Sequence, residues 1–102
     1  MTTGSKRTKS WYKSKDTFLR KTYGISIEDW WEMLLNQDKR CAVCRRKFKI
    51  KGKASVNTPQ VDHHHGTGRV RGLLCRVCNF RILPYFEDRP EIIQNLKDYL
   101  IE

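Results

Sequence analysis

The sequence predicts a small α+β domain, and three observations carry that expectation. Two segments space apolar residues as a helix does: Ile27, Trp30, Trp31, Leu34 and Leu35 early in the chain, and Ile92, Ile93, Leu96, Tyr99 and Leu100 near its end. Between them, residues 60–64 and 69–74 read as two strands joined by a turn at Gly66 and Gly68. Two cysteine pairs bracket this hairpin. With 102 residues the chain is short enough for one domain, whose modest core often needs a staple.

The elements follow in order. Residues 1–10 hold Thr, Gly, Ser and Lys and almost nothing apolar, so residues 1–15 are expected to be a flexible basic tail. One domain then runs over 16–102, with N-terminal helices in 16–38, a core in 39–84 and a C-terminal helix in 88–101. Asp16 is placed to cap a short helix to Lys21 that Gly24 ends. Ser26 and Asp29 form a capping-box pattern for the next helix, whose tryptophans suit a core better than a base-stacking platform. Residues 41–50 read as a cysteine knuckle followed by a basic strand, and 51–59 as a polar loop. A helix over 75–83 is expected to stop at Pro84, and the last one to start near Pro90.

A net charge of +10, from 21 Lys and Arg against 11 Asp and Glu, points to a polyanionic partner, with nucleic acid the first candidate. The alternative is a merely solvated basic surface, but the charge is clustered. Arg45, Arg46, Lys47 and Lys49 follow one cysteine pair, and Arg69, Arg71 and Arg76 flank the other. These seven are the candidate phosphate contacts. No apolar leader or membrane-length run occurs, so no membrane partner and a cytoplasmic location are expected. In that reducing compartment paired cysteines serve as metal ligands more often than as disulfides.

Cys41-Ala-Val-Cys44 and Cys75-Arg-Val-Cys78 each put two thiolates on one tight turn, and two such turns can close a tetrahedron around Zn²⁺. All four cysteines are consumed, leaving no open coordination position, so this zinc is expected to be structural. The competing reading is two independent redox pairs.

The insert between the knuckles contains Val61-Asp62-His63-His64-His65-Gly66-Thr67-Gly68. Asp62 is a hard oxygen ligand suited to Mg²⁺ or Mn²⁺, and a neutral histidine can take a proton from water near pH 7. Strand alternation puts Asp62 and His64 on one face and His63 and His65 on the other. It also puts Arg69 and Arg71 on a common face. Asn79, directly after Cys78, could contribute from the following helix. Periodicity does not say which histidine would be a base. The histidines could also form an adventitious metal tract or replace some cysteines on zinc.

Taken together, Cys41-x-x-Cys44, the run from Val61 to Gly68, and Val70-Arg71-Gly72-Leu73-Leu74-Cys75-x-x-Cys78-Asn79 closely resemble the phage recombination endonuclease VII family. That family belongs to the His-Asn-His (HNH) or His-Me finger nucleases. The likeness spans about Leu19 to Leu83 and includes Tyr23-Gly24-Ile25-Ser26 and Gln37. It implies a ββα-metal core with flanking helices, in which Asp62 and Asn79 bind one catalytic Mg²⁺ or Mn²⁺. His63 would be the general base, His65 would touch the scissile phosphate or position the site, and His64 would occupy a position the family varies. The products would carry a 5′ phosphate and a 3′ hydroxyl.

The resemblance implies a DNA endonuclease working in the host cytoplasm if phage-encoded. The chain ends at Glu102, one helix after the motif, so nicking or weakly specific cleavage is expected ahead of Holliday-junction resolution by a dimer. Both monomer and homodimer remain open. A non-catalytic zinc module that binds nucleic acid is the other alternative, and Asp62, His63 and Asn79 are the residues it would not need.

Overall fold

The computed structural model describes residues 9–101. The first helix, α1 (Lys9–Tyr23), begins well before Asp16 and takes in much of the segment expected to be tail; residues 1–8 of that segment lie outside the described residues. Asp16 therefore sits inside its helix rather than capping it. One carboxylate oxygen accepts from Arg20 Nε at 2.8 Å and the other from the Ile27 amide at 2.9 Å. Asp16 thus satisfies one of the free N–H groups that open the next helix. The Ile27 amide first, and the Arg20 guanidinium second, hold its carboxyl below the usual range. Gly24 ends α1 with φ +74°, donating its amide to the Arg20 carbonyl at 3.1 Å.

Helix α2 (Ile27–Asn36) opens with the expected capping box: the Asp29 amide donates to Ser26 Oγ and the Ser26 amide to Asp29 Oδ2, both at 3.0 Å. Its Ile27, Trp30 and Leu34 are buried, Trp31 is half-buried, and Leu35 is exposed. Ile27, Trp30 and Leu34 pack into one core with Leu19, Cys41, Phe48, Leu73, Leu74, Cys75 and Cys78, so three of the four cysteines belong to the hydrophobic core itself.

After α2 the chain turns through Asp38 and Lys39, both at positive φ, into the first knuckle. The expected basic strand does not form; only an isolated bridge, Arg40 with Lys47, is present, and Phe48 anchors the segment in the core. Gln37 joins this region to the hairpin. Its amide nitrogen donates to the carbonyls of Arg40 (2.8 Å) and Leu73 (2.9 Å), and its oxygen accepts from the Leu73 amide at 3.0 Å. One side chain thus serves both backbone groups of a strand residue that has no further strand on that side.

Strands β1 (Gln60–His63) and β2 (Val70–Leu74) form the two-stranded antiparallel sheet. Asp62 pairs with Gly72 but His63 pairs with Val70, so Arg71 is an extra residue without a partner on β1, a β-bulge. A π-helical turn (Cys78–Ile82) follows and runs into α3 (Leu83–Phe86), so the helix does not stop at Pro84. Across the wide turn the Leu83 amide donates to the Cys78 carbonyl, five residues back. This register loosens the turn ahead of Pro84, where a regular α-helix would clash with the proline ring. Helix α4 (Glu91–Ile101) carries the expected apolar stripe but buries none of it against the described residues; Ile93, Leu96, Tyr99 and Leu100 are exposed.

Candidate active site and cysteine centre

The four cysteine sulfurs lie within 4.8 Å of one another, with Cys44 and Cys75 Sγ 3.8 Å apart. Ligands at the usual Zn–S length of about 2.3 Å around a tetrahedron are roughly 3.8 Å apart, so the donor set fits a structural Zn²⁺. No disulfide links them. Cys41, Cys75 and Cys78 are buried, and backbone amides point at the sulfurs: Cys75 N and Val43 N to Cys41 Sγ at 3.3 and 3.4 Å, and Cys78 N to Cys75 Sγ at 3.5 Å.

Burial pushes the Cys41 thiol up, but the amides of Cys75, Cys44 and Val43 outweigh it and bring it to about 7, from an ordinary 9.0. Burial, and then the neighbouring thiols, push Cys78 strongly the other way. A site that stabilises one thiolate and resists a second is short of positive charge, which a divalent ion supplies.

The hairpin sits directly on this centre. Ala42 N donates to the Leu73 carbonyl at 3.2 Å, and β2 leads straight into Cys75. Asp62, His63, His65 and Asn79 line one cleft of about 360 Å³, together with Tyr23 and Pro84. Strand alternation had separated Asp62 from His63 and His65 and grouped it with His64; the bulge after Asp62 and the turn after His63 break that period. His64 lies in the turn, where its Nδ1 accepts from the amides of Gly66 (3.1 Å) and Thr67 (3.2 Å). His63 is half-buried, with its ring centroid 5.9 Å from Tyr23 and 5.2 Å from His65. Asn79 is half-buried, and its amide donates to the Cys75 carbonyl at 2.9 Å.

The bulge turns Arg71 onto Asp62. Arg71 Nε and Nη2 donate to the two oxygens of the buried Asp62 carboxylate at 2.7 and 3.1 Å. Arg71 Nη2 also reaches the His63 carbonyl (3.3 Å) and Glu87 Oε2 (3.2 Å), while Glu87 Oε1 lies 3.6 Å from His65 Nδ1. Glu87 escaped the sequence reading. It lies 25 residues beyond Asp62, just past α3, and only the helix running through Pro84 brings it to the hairpin. Nothing in its local sequence marks it.

The other candidate phosphate contacts, Arg45, Arg46, Lys47, Lys49, Arg69 and Arg76, are exposed. Arg71 differs from them in being engaged with two carboxylates. Each carboxylate oxygen of Asp62 carries two lone pairs and spends one on Arg71, which leaves acceptor capacity toward the cleft.

Residues 16–102 match the family of recombination endonuclease VII. The chain belongs to that family. Two curated relatives, each a gene 59 protein, are similar to it: that of Mycobacterium phage D29 is 41% identical over 87 residues, and that of Mycobacterium phage L5 is 38% identical over 88. These alignments cover 85% and 86% of the chain but 50% and 51% of the relatives, so the chain spans about half the length of the curated proteins it matches. No solved structure matches it. No helix among the described residues is long and apolar enough to cross a membrane.

Proposed function

We propose that the chain is a metal-dependent DNA endonuclease of the HNH type, with a ββα-metal core built on the cysteine centre. The observation that carries this reading is one cleft lined by Asp62, His63, His65 and Asn79, beside a four-cysteine cluster of which Cys41, Cys75 and Cys78 are buried, in a chain of net charge +10. A pure binding finger has no use for that cleft.

Asp62 and Asn79 would hold Mg²⁺ or Mn²⁺ through oxygen atoms, and the ion would supply Lewis-acid stabilisation of the phosphate and the leaving 3′ oxygen. His63 takes a proton from water as the water oxygen bonds to phosphorus. The bond from phosphorus to the 3′ oxygen breaks, and that oxygen collects a proton, leaving a 5′ phosphate and a 3′ hydroxyl. His65, held by Glu87, contacts the phosphate. The exposed Arg and Lys side chains grip the backbone without reading sequence, so nicking or weakly specific cleavage is expected.

Supercoiled plasmid incubated with Mg²⁺ or Mn²⁺ tests the reading: it should convert to open-circle or linear DNA. No conversion with either metal across several pH values leaves the non-catalytic nucleic-acid-binding module. The family match favours a second reading, resolution of branched DNA by a dimer. Symmetrical paired incisions in a four-way junction, with linear duplex left intact, would establish it.

A further inference from the structure

We infer that a cleft between the N-terminal half of α1 and the loop preceding β1 is a second DNA subsite that takes one unpaired base of the substrate. The choice of ligand rests on the DNA-cleavage reading above. The cleft holds about 200 Å³ and is lined by Trp11, Lys15, Trp30, Lys49, Ile50 and Thr58 among others, none of them acidic. It is smaller than the roughly 300 Å³ at which drug-sized pockets begin, so it suits one planar ring rather than an extended cofactor.

Its chemistry is that of single-strand recognition: aromatic faces for a base and ammonium groups for the backbone beside it. Lys15 Nζ lies 4.5 Å from the Trp30 ring centroid and 5.7 Å from that of Trp11. The two indoles therefore already hold a cation. A base entering the cleft takes over the face of the half-buried Trp11, with the core-packed Trp30 as the floor behind Lys15, and the Lys15 ammonium exchanges a cation–π contact for a phosphate. Lys49 passes over Gly52, with Nζ 3.9 Å from where a Cβ would be.

The far wall is built rather than loose. Ser55 N donates to Thr58 Oγ1 (2.8 Å), Asn57 N to Ser55 Oγ (3.1 Å), and Lys49 N to the Asn57 carbonyl (2.8 Å). Arg76 N donates to the Val56 carbonyl at 2.9 Å, fixing the loop to the second knuckle. A preorganised wall lowers the ordering cost of binding.

Helix α1 ties the cleft to the hairpin. From Trp11 to Tyr23, which touches His63, it rises about 18 Å. At the rise of a DNA strand this span equals roughly five nucleotide steps from the cut.

The test compares a blunt duplex with the same duplex carrying a short single-stranded gap, using zinc-loaded protein without added Mg²⁺ or Mn²⁺. Trp11→Ala should weaken binding to the gapped DNA by about tenfold, the low end for one stacked base. Binding to the blunt duplex should stay within about twofold, and Trp11→Phe should restore most of the loss. Equal losses on both DNAs, or no loss on either, would overturn the subsite. Because Trp11 also packs beside the core, unaltered protein supplies a second measurement that does not depend on a variant folding. Photocrosslinking to 5-iodouracil placed in the gap should join Trp11; adducts only elsewhere overturn it. Plasmid cleavage is scored separately. A nuclease without gap preference loses the subsite alone, and gap preference without cleavage loses the nuclease alone.

Discussion

The cysteine centre and the histidine cleft meet on residues 75–79, yet they are built by opposite means. Around the sulfurs, burial does the work: Cys41, Cys75 and Cys78 are at most 3% exposed and lie in the same core as Leu34 and Leu73. Around the histidines the contacts are polar and reach solvent; His65 is 68% exposed and is held by one carboxylate. The difference separates stability from chemistry. Packing fixes where β2 and the helix after it start, and a polar network from the buried Asp62 through Arg71 to Glu87 then borders the cleft. Damage to the first region should destroy both, whereas damage to the second should leave the first standing.

The largest effect tests that asymmetry directly. Stripping zinc, or replacing Cys75 with Ser, should abolish the cooperative thermal transition and most helical circular dichroism, because structural zinc contributes on the order of 10 kcal/mol to a small domain. An unchanged melting temperature after verified zinc removal would mean that the core stands alone and the comparison fails. Next comes His63→Ala, which should lower plasmid cleavage by about 10²- to 10⁴-fold, the worth of a general base, while the melting temperature, zinc content and DNA affinity stay near those of the parent chain. Full activity in this variant would move the base to another residue of the tract, His65 first, because it shares the cleft.

A middle-sized effect belongs to Gln37, which links the two regions. Gln37→Ala removes three hydrogen bonds and leaves the Leu73 amide and carbonyl without those partners. It should cost about 2–3 kcal/mol, read from denaturant unfolding. A cost below about 0.5 kcal/mol would show that solvent replaces the side chain and that the knuckle alone holds the hairpin.

What the sequence made legible follows the same division. The capping box at Ser26 and Asp29, the hairpin and the cysteine spacing all express local rules with fixed periods or offsets, and the structure contains them. The missed features depend on exceptions to a period or on distant contacts. A period of two cannot register an extra residue, so Arg71 and Arg69 were grouped by alternation; the neighbouring Gly72 was the only local hint of a bulge. Proline rules gave a helix end at Pro84 because they assume α-helical spacing, which the π-helical turn replaces. Its place before an apolar run marks Asp16 as a cap on its own helix, whereas its carboxylate serves the Ile27 amide of the next. Gln37 drew notice in the sequence through likeness alone; its role is a contact with Leu73, 36 residues away.

The smallest expected effect is the most discriminating for the polar region. Glu87 is ion-paired to Arg71 and its other oxygen lies 3.6 Å from His65 Nδ1, but these are partly exposed contacts, worth at most about 1 kcal/mol to the fold. Glu87→Gln keeps the size of the side chain and a hydrogen-bonding oxygen while removing the charge. Its melting temperature should therefore barely move. Cleavage should still fall by a few-fold, because Arg71 loses its second carboxylate and settles fully on Asp62, and His65 loses its anionic neighbour. The Mn²⁺ concentration giving half-maximal cleavage should rise for the same reason, and titration of Mn²⁺ binding by calorimetry should weaken in parallel. An Arg71→Gln variant shifts metal binding the other way if competition for Asp62 is the cause. Should both substitutions weaken Mn²⁺ equally, Arg71 is orienting the carboxylate rather than occupying it, and Glu87 then acts through His65 alone.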